Sequence, residues 1–460
     1  MKGVFVVGAG PAGIFAARQI ALAGFETCIF NRDIRPGGLA QYGIYPTKTK
    51  MKSGLRKQFE QTLALPNVHY FGHVQVGAAY DLSFAELEAM RPAAIVFACG
   101  AQGAKKLGLP GEDARGIYAA KDFVYHYNQL APYVSGDFST GRHVAIIGVG
   151  NVAIDIARWL LIDDPGKTTE RVTLISRRGP LEVKFDKKEI EYVASHLSRE
   201  ALVAELARVK DRCARANQDV SPEAVFAMHF PSLNSPDFAS VPPPLALRFL
   251  SSPKAFIADS AGSVTRMEIA ENDLHLNADG STSARSNGET TTIDVDTVLF
   301  AIGDKHDPQI GLPMGPDGYA TKPNPERPNE PSFEVWDPVA TKVIPGRFVV
   351  GWARKASTGL AGVARHDGES GAKKVLEYLQ SSRDPGTFSP NEIAARLIEK
   401  NVRFADKNDL ALLAQAETRQ GEVALPNSFN FSDNTDIFEA MNEESKRAAE
   451  AEQLSANSAN

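Results

Sequence analysis

The residues with the clearest chemistry in this 460-residue chain are among its smallest. Gly8-Ala9-Gly10-Pro11-Ala12-Gly13 and Gly148-Val149-Gly150-Asn151-Val152-Ala153 repeat one spacing. Glycines so spaced let backbone close on a pyrophosphate at the N-terminus of a helix, where unpaired amides and the helix dipole favour negative charge. Alanine in the last place, Ala153, is an accepted variant of this fingerprint. The spacing alone is a weak signal, because a tight turn without a ligand can carry it. What accompanies each copy is more telling. Beyond the second copy, residues 171–176 form an apolar run ending in Arg177-Arg178-Gly179. Two guanidinium forks at that place suit the extra 2′-phosphate of NADP by charge and by geometry; the alternative is a solvated basic turn. Beyond the first copy, the place where an acid normally holds the adenosine ribose is filled by Asn31, followed by Arg32 and Asp33. An amide can still hydrogen-bond a hydroxyl. Further on, Gly351-Trp352-Ala353-Arg354-Lys355-Ala356-Ser357-Thr358-Gly359-Leu360-Ala361-Gly362 is a small-residue loop leading into a helix. It could set backbone N–H groups against the pyrimidine edge of a flavin, with Trp352 covering the rings. It reads equally as an ordinary helix cap by Ser357 or Thr358 beside a core tryptophan.

These residues need a scaffold, and the hydrophobic pattern supplies one. Residues 3–7 are an apolar strand, residues 14–22 a helix, and residues 26–30 a second strand. Strand, glycine turn, helix and strand make a βαβ unit whose parallel sheet is buried on both faces. The order recurs with residues 142–147, the second glycine turn, a helix over 154–161 and the 171–176 strand. Two more apolar runs, 93–99 and 297–303, flank the second unit. The chain is therefore expected to leave a first domain near residue 104 and return near residue 300. The expected fold is α/β with two Rossmann-like dinucleotide-binding domains, the first over 1–104 and 300–442, the second inserted at 105–299. Asn277-Ala278-Asp279-Gly280-Ser281 reads as a hairpin loop, residues 323–345 as a proline-rich surface loop, and 443–460 as a frayed helix passing into disorder.

Bulk properties narrow the function. Hydrophobic residues make up 43% and charged residues 23%, the balance of a globular protein. A net charge of −6 argues against nucleic acid as a partner. No run has the length of a membrane span, and no signal peptide is expected, so the cytoplasm is the default location. Cys28, Cys99 and Cys213 are too far apart in sequence for a Cys-x-x-Cys redox pair or a metal ligand set. Cys28 and Cys99 read as buried small hydrophobes. Disulfide reductases share both nucleotide units but need a cysteine pair. Flavin monooxygenases would need an added substrate domain, and none is visible. An inert nucleotide-binding regulatory subunit is the non-enzymatic alternative.

Together the segments resemble the adrenodoxin reductase-like family of ferredoxin–NADP⁺ reductases. The resemblance is carried by Val7-Gly8-Ala9-Gly10-Pro11-Ala12-Gly13, Gly38-Leu39-Ala40-Gln41-Tyr42-Gly43, Gly150-Asn151-Val152-Ala153-Ile154-Asp155, Arg177-Arg178-Gly179-Pro180-Leu181 and Gly351-Trp352 through Gly359. It extends to about residue 380, and the arginine and tryptophan segments are its more specific parts. It implies FAD and NADP(H) as cofactors and a small iron–sulfur protein of ferredoxin type as electron acceptor. Gly8, Gly10, Ala12, Gly13, Leu39, Val76, Trp352, Gly359, Leu360 and Ala361 would contact FAD, with Asn31 in the place of the ribose-binding acid. Val149, Gly150, Asn151 and Val152 would meet the NADP pyrophosphate. Arg177 and Arg178 would hold the 2′-phosphate, with Glu189 near the same cofactor. The family commonly pairs a histidine with the acid matched by Asp155, whereas Lys48 stands in the histidine's place here. Asp155 and Lys48 are the catalytic candidates, Asp155 matching the pattern and Lys48 departing from it. A lysine there could favour reduced flavin by its charge, or belong to a solvated basic loop with Lys50 and Lys52 that docks an acidic partner.

Overall fold

The computed structural model describes residues 3–235, 244–324, 332–355, 361–382, 386, 388–424 and 431–458. It divides into two compact units: Met1–Gly103 with Tyr125–Ser135 and Asp304–Asn460, and Ala104–Val124 with Gly136–Gly303.

The first unit is built on a six-stranded sheet, ordered Glu334–Asp337, Lys342–Val349, Ala94–Phe97, Gly3–Val7, Glu26–Asn31 and Val68–Gly72. All neighbours are parallel except the Glu334–Asp337 and Lys342–Val349 pair. The central strand Gly3–Val7 is buried at every position, as a parallel strand covered on both faces must be. Its register, Gly3 opposite Glu26 and Val7 opposite Phe30, brings the sequence to Gly8 where the sheet ends. The Pro11–Leu22 helix covers one face with Ile14, Phe15, Ala17 and Ile20.

The second unit repeats this plan. Its parallel five-stranded sheet runs Ile117–Ala119, Thr297–Phe300, His143–Ile147, Arg171–Ile175 and Leu245–Arg248. An antiparallel three-stranded sheet, Ser251–Ala258, Val264–Leu276 and Thr282–Asp294, is added beyond it. The two glycine turns are held alike. Gly8 N donates to Phe30 O at 2.7 Å and Ala98 N to Val7 O at 2.7 Å; Gly148 N donates to Ile175 O at 2.9 Å and Ala301 N to Ile147 O at 2.8 Å.

Three features depart from the sequence reading. Residues 125–135, expected in the inserted domain, group with the first unit. Tyr125 and Leu130 bury beside Tyr42, and Lys52 Nζ donates to Asn128 Oδ1 at 2.7 Å. Aromatic anchoring of so short an excursion leaves no periodic signal. The Asn434–Ser458 helix runs straight through residue 443, where fraying was expected. Ile437, Phe438 and Met441 give it a buried face, and the buried Glu444 carboxylate receives Arg419 at 2.8 Å and Arg447 at 2.6 Å. The proline-rich stretch 323–345, expected as a loop, contributes the Glu334–Asp337 strand and the start of Lys342–Val349.

Candidate functional site

In the first unit, the turn after Gly3–Val7 has the shape its glycines require. Gly8 has φ +106, a left-handed value that a side chain resists, and a Cβ on Gly13 would lie 1.9 Å from Gly8 O. The middle glycine differs: a Cβ on Gly10 would meet nothing within 4 Å. Gly10 is also the N-cap of the Pro11–Leu22 helix and supplies no side-chain hydrogen bond to it. Among the described residues nothing fills the space beside Gly10 at the head of this helix, as a pyrophosphate cradle needs. Two further segments converge here. Gly37 N donates to Ala9 O at 2.7 Å, and the Leu39–Tyr42 helix starts directly after Gly38. A Cβ on Gly351 would lie 2.5 Å from the Ala12 Cβ, so the Trp352 segment abuts the glycine turn. Asp367 pins that segment, accepting Gly351 N at 2.5 Å and forming an ion pair with Arg354.

The structure thus brings Gly8, Gly10, Ala12, Gly13, Leu39 and Trp352 to one place. The Trp352 indole Nε1 is buried with no hydrogen-bond partner among the described residues, a donor left over at the position expected to meet a flavin. Ala361 opens the Ala361–Ser381 helix, while Gly359 and Leu360 lie outside the described residues. Val76 is buried in the apolar cluster with Val7 and Phe97, so its side chain belongs to the core.

Asn31 calls for a correction. Its side chain was expected to reach a ribose hydroxyl, yet it is buried and already hydrogen-bonded within the protein at both its oxygen and its nitrogen. Oδ1 accepts Ala9 N at 3.0 Å, and Nδ2 donates to Asp33 O at 2.7 Å, Arg35 O at 2.9 Å and Tyr70 Oη at 3.1 Å. The amide ties the glycine turn to the loop after the second strand. A carboxylate could not make this set, because it has no donor for the two carbonyls.

Sequence reasoning missed other residues of this unit. His306 is buried, and its Nε2 donates to Trp352 O at 2.6 Å, since a carbonyl can only accept. The Tyr319 ring meets His306 edge-on at 5.2 Å, and its hydroxyl donates to Asp307 O at 2.8 Å. No motif flags these residues, because each acts through backbone atoms. Burial pushes the Cys99 thiol up to about 12, and raises Cys28 well above the ordinary thiol range, so neither offers a thiolate. Lys48 is the half-exposed N-cap residue of the Thr49–Leu63 helix. One turn on, burial and the neighbouring Arg56 push the Lys52 ammonium down to about 8.

In the second unit, Gly148 has φ +125 and a Cβ on Gly150 would again meet nothing within 4 Å. Ala153 is accommodated fully buried at the third position. A neighbouring segment braces the turn: Lys184 N donates to Val149 O at 2.9 Å, and the Asn151 side chain exchanges hydrogen bonds with Asp186 at 2.7 and 3.0 Å. Asn151 therefore has its backbone N–H, rather than its amide, to offer a ligand. Val152 is exposed at the same helix start, and Asp155 is half-buried one turn along the Asn151–Arg158 helix. Glu189 lies on the short Lys187–Ile190 helix that follows Asp186. Arg177 is exposed and Arg178 half-buried where the Arg171–Ile175 strand gives out. Among the described residues neither is ion-paired, whereas Arg208, Arg212, Arg215 and Arg248 of the same unit all hold carboxylates. Among the described residues this leaves two cations without ion-pair partners where the Arg171–Ile175 strand ends, the charge an anion would favour.

Two Rossmann-type units with twin glycine cradles define the class, a two-dinucleotide oxidoreductase. Residues 2–221 match the family described as pyridine nucleotide-disulphide oxidoreductase. The NADPH-ferredoxin reductase FprA of Mycobacterium leprae is 29% identical over 92% of this chain and 96% of its own length. The mitochondrial NADPH:adrenodoxin oxidoreductase of Salvelinus fontinalis is 27% identical over 91% of this chain and 87% of its own. Among solved structures, Mycobacterium tuberculosis FprA in complex with NADPH superposes with a TM-score of 0.75 at 24% identity, covering 96% of this chain and 99% of that one. Over most of its length the chain is thus similar to the NADPH-ferredoxin and NADPH:adrenodoxin reductases.

Proposed function

We propose that this protein is an NADPH-dependent flavoprotein reductase that passes electrons to a small iron–sulfur protein of ferredoxin type. The observation that carries the reading is the unpaired Arg177–Arg178 turn beside the open Gly150 cradle. Bound FAD would supply the chemistry, taking two electrons as hydride and releasing them singly. The protein's part is to bind and orient. Gly8, Gly10 and Gly13 shape one cradle and Val149 to Val152 the other. Leu39, Trp352 and Ala12 would border the flavin end of the first, with Gly359, Leu360 and Ala361 continuing that border. His306 and Asp367 fix the Trp352 segment from behind. Arg177 and Arg178 would select the phosphorylated coenzyme, with Glu189 nearby. Asp155 and Lys48 are proposed to act beside the nicotinamide and the flavin, Lys48 by its charge.

The described cysteines are all free, and no disulfide pair supports a disulfide-reductase reading. No described helix is long and apolar enough to cross a membrane. The test is acceptor reduction by the purified protein, with NADPH and NADH compared on an artificial dye and on a plant-type ferredoxin. Faster reduction with NADPH on both acceptors is expected. Reduction of the dye alone would restrict the proposal to the coenzyme half, and no reduction of either would reject it.

A further inference from the structure

The turn that presents Arg177 and Arg178 is held from beneath. Its three successive carbonyls each accept a hydrogen bond from the region of the added antiparallel sheet. Ser251 N donates to Ser176 O at 2.9 Å and Leu250 N to Arg178 O at 3.1 Å. The middle carbonyl, Arg177 O, receives a side chain instead: Asn272 Nδ2, at 3.0 Å. Asn272 is buried, 3% exposed, on the Val264–Leu276 strand, where the pairing with Thr282–Asp294 shifts register. Its remaining groups fix it there. Nδ2 also donates to Ser252 Oγ at 2.8 Å, its backbone N donates to Leu250 O at 2.8 Å, and its carbonyl accepts Arg212 at 3.1 Å. Leu250, which links Asn272 to Arg178 through both its backbone groups, is held at φ +48, a left-handed value uncommon for leucine.

We propose that Asn272 is a positioning residue for coenzyme selection, acting through Arg177. The inference rests on the reading that Arg177 and Arg178 meet the 2′-phosphate. Holding the Arg177 carbonyl toward the added sheet does two things. It fixes the backbone that carries the exposed guanidinium, so less freedom is lost when phosphate binds. It also keeps a carbonyl dipole from turning toward an anion, which it would repel. A residue in this role affects the phosphorylated coenzyme and leaves the unphosphorylated one alone. A residue that merely holds the unit together affects both.

The test is steady-state kinetics of the FAD-loaded full chain with both coenzymes, for Asn272→Ala, Arg177→Ala and the double variant. Asn272→Ala is expected to raise KM for NADPH roughly five- to tenfold, the reach of one hydrogen bond. KM for NADH and kcat should stay within about twofold of the parent. In the Arg177→Ala background, adding Asn272→Ala should change KM for NADPH little further, because residues acting through one another are not additive. Equal rises for both coenzymes, or an undiminished effect in the Arg177→Ala background, overturn the proposal. Should Asn272→Ala fail to fold, Asn272→Asp keeps the volume and removes the donor; unchanged coenzyme discrimination in it also overturns the proposal. Unchanged discrimination in Arg177→Ala itself would instead refute the phosphate assignment beneath it.

Discussion

Replacing Asn31 separates its two readings, because a structural knot and a ribose contact fail differently. In the Asn31→Ala variant four partners lose a hydrogen bond, and two of them have others. Asp33 O still accepts His73 N at 3.2 Å, and Tyr70 Oη still donates to Ile34 O at 3.0 Å. The cost falls on the buried Ala9 N–H and on Arg35 O. One orphaned buried donor, one lost bond and a small cavity amount to roughly 3 kcal/mol. Asn31→Asp sharpens the test. Its first oxygen can still accept Ala9 N, but the second would face the Asp33 and Arg35 carbonyls and must carry a proton to bond them. Protonating a carboxyl of ordinary pKa costs about 4 kcal/mol at pH 7 and about 1.5 kcal/mol at pH 5. The sign follows from linkage: the folded-state pKa is raised, so the native bonds are fully available below pH ~4 and are lost as pH rises. Urea midpoints of the parent and both variants, taken at pH 7 and pH 5 without added FAD, measure these differences. The aspartate penalty should shrink by about 2.5 kcal/mol between the two. A penalty equal at both pH values, or Asn31→Ala with the parent's midpoint and weakened FAD binding, would refute the knot and restore the ribose reading.

Other expectations follow from the same geometry. Gly13→Ala puts a methyl 1.9 Å from Gly8 O, so it should yield protein that retains no flavin after purification. Ala153→Gly should leave NADPH affinity within about twofold and lower stability by about 1 kcal/mol through helix propensity alone; a matched loss of flavin in both variants would contradict the glycine argument. Replacing Arg177 and Arg178 together by alanine removes two charge-assisted contacts of roughly 1.5–3 kcal/mol each. KM for NADPH should rise at least a hundredfold with KM for NADH nearly unchanged, and comparable rises in both would count against the assignment. Lys52, its ammonium pushed down to about 8, releases its proton in the folded state before the unfolded chain does. Stability should therefore rise between about pH 8 and pH 10.4, by on the order of 1–2 kcal/mol, and Lys52→Met should flatten that rise in a melting series. An identical slope in the variant would show that Lys52 contributes nothing to it.

How much of this was legible in the sequence depended on whether a residue acts through its backbone class or through its partners. The glycine turns were legible because a left-handed φ at Gly8 and a 1.9 Å approach at Gly13 admit almost no other residue. The parallel strands were legible because burial on both faces demands uninterrupted apolar runs such as residues 3–7. The partners of Asn31 were not legible, since its position predicts a ligand contact while its amide is hydrogen-bonded to Ala9, Asp33, Arg35 and Tyr70, most of them invisible as a pattern. Asn272 left no trace for the same reason: one amide reaches a carbonyl 95 residues away in sequence. The Tyr125–Ser135 excursion and the continuous Asn434–Ser458 helix follow from tertiary burial of a few aromatics and apolar side chains, which composition alone reads as polar tail or linker.

The central claim is that one cradle holds FAD, the other NADPH, and electrons pass from the second cofactor to the first. Anaerobic titration of the purified full chain with NADPH, watched at the visible flavin band, tests it most directly. The expected result is a yellow protein that releases FAD and no FMN on denaturation, and whose band bleaches with NADPH far faster than with NADH. A protein that stays colourless after incubation with FAD, or whose flavin bleaches equally fast with both coenzymes, would contradict it.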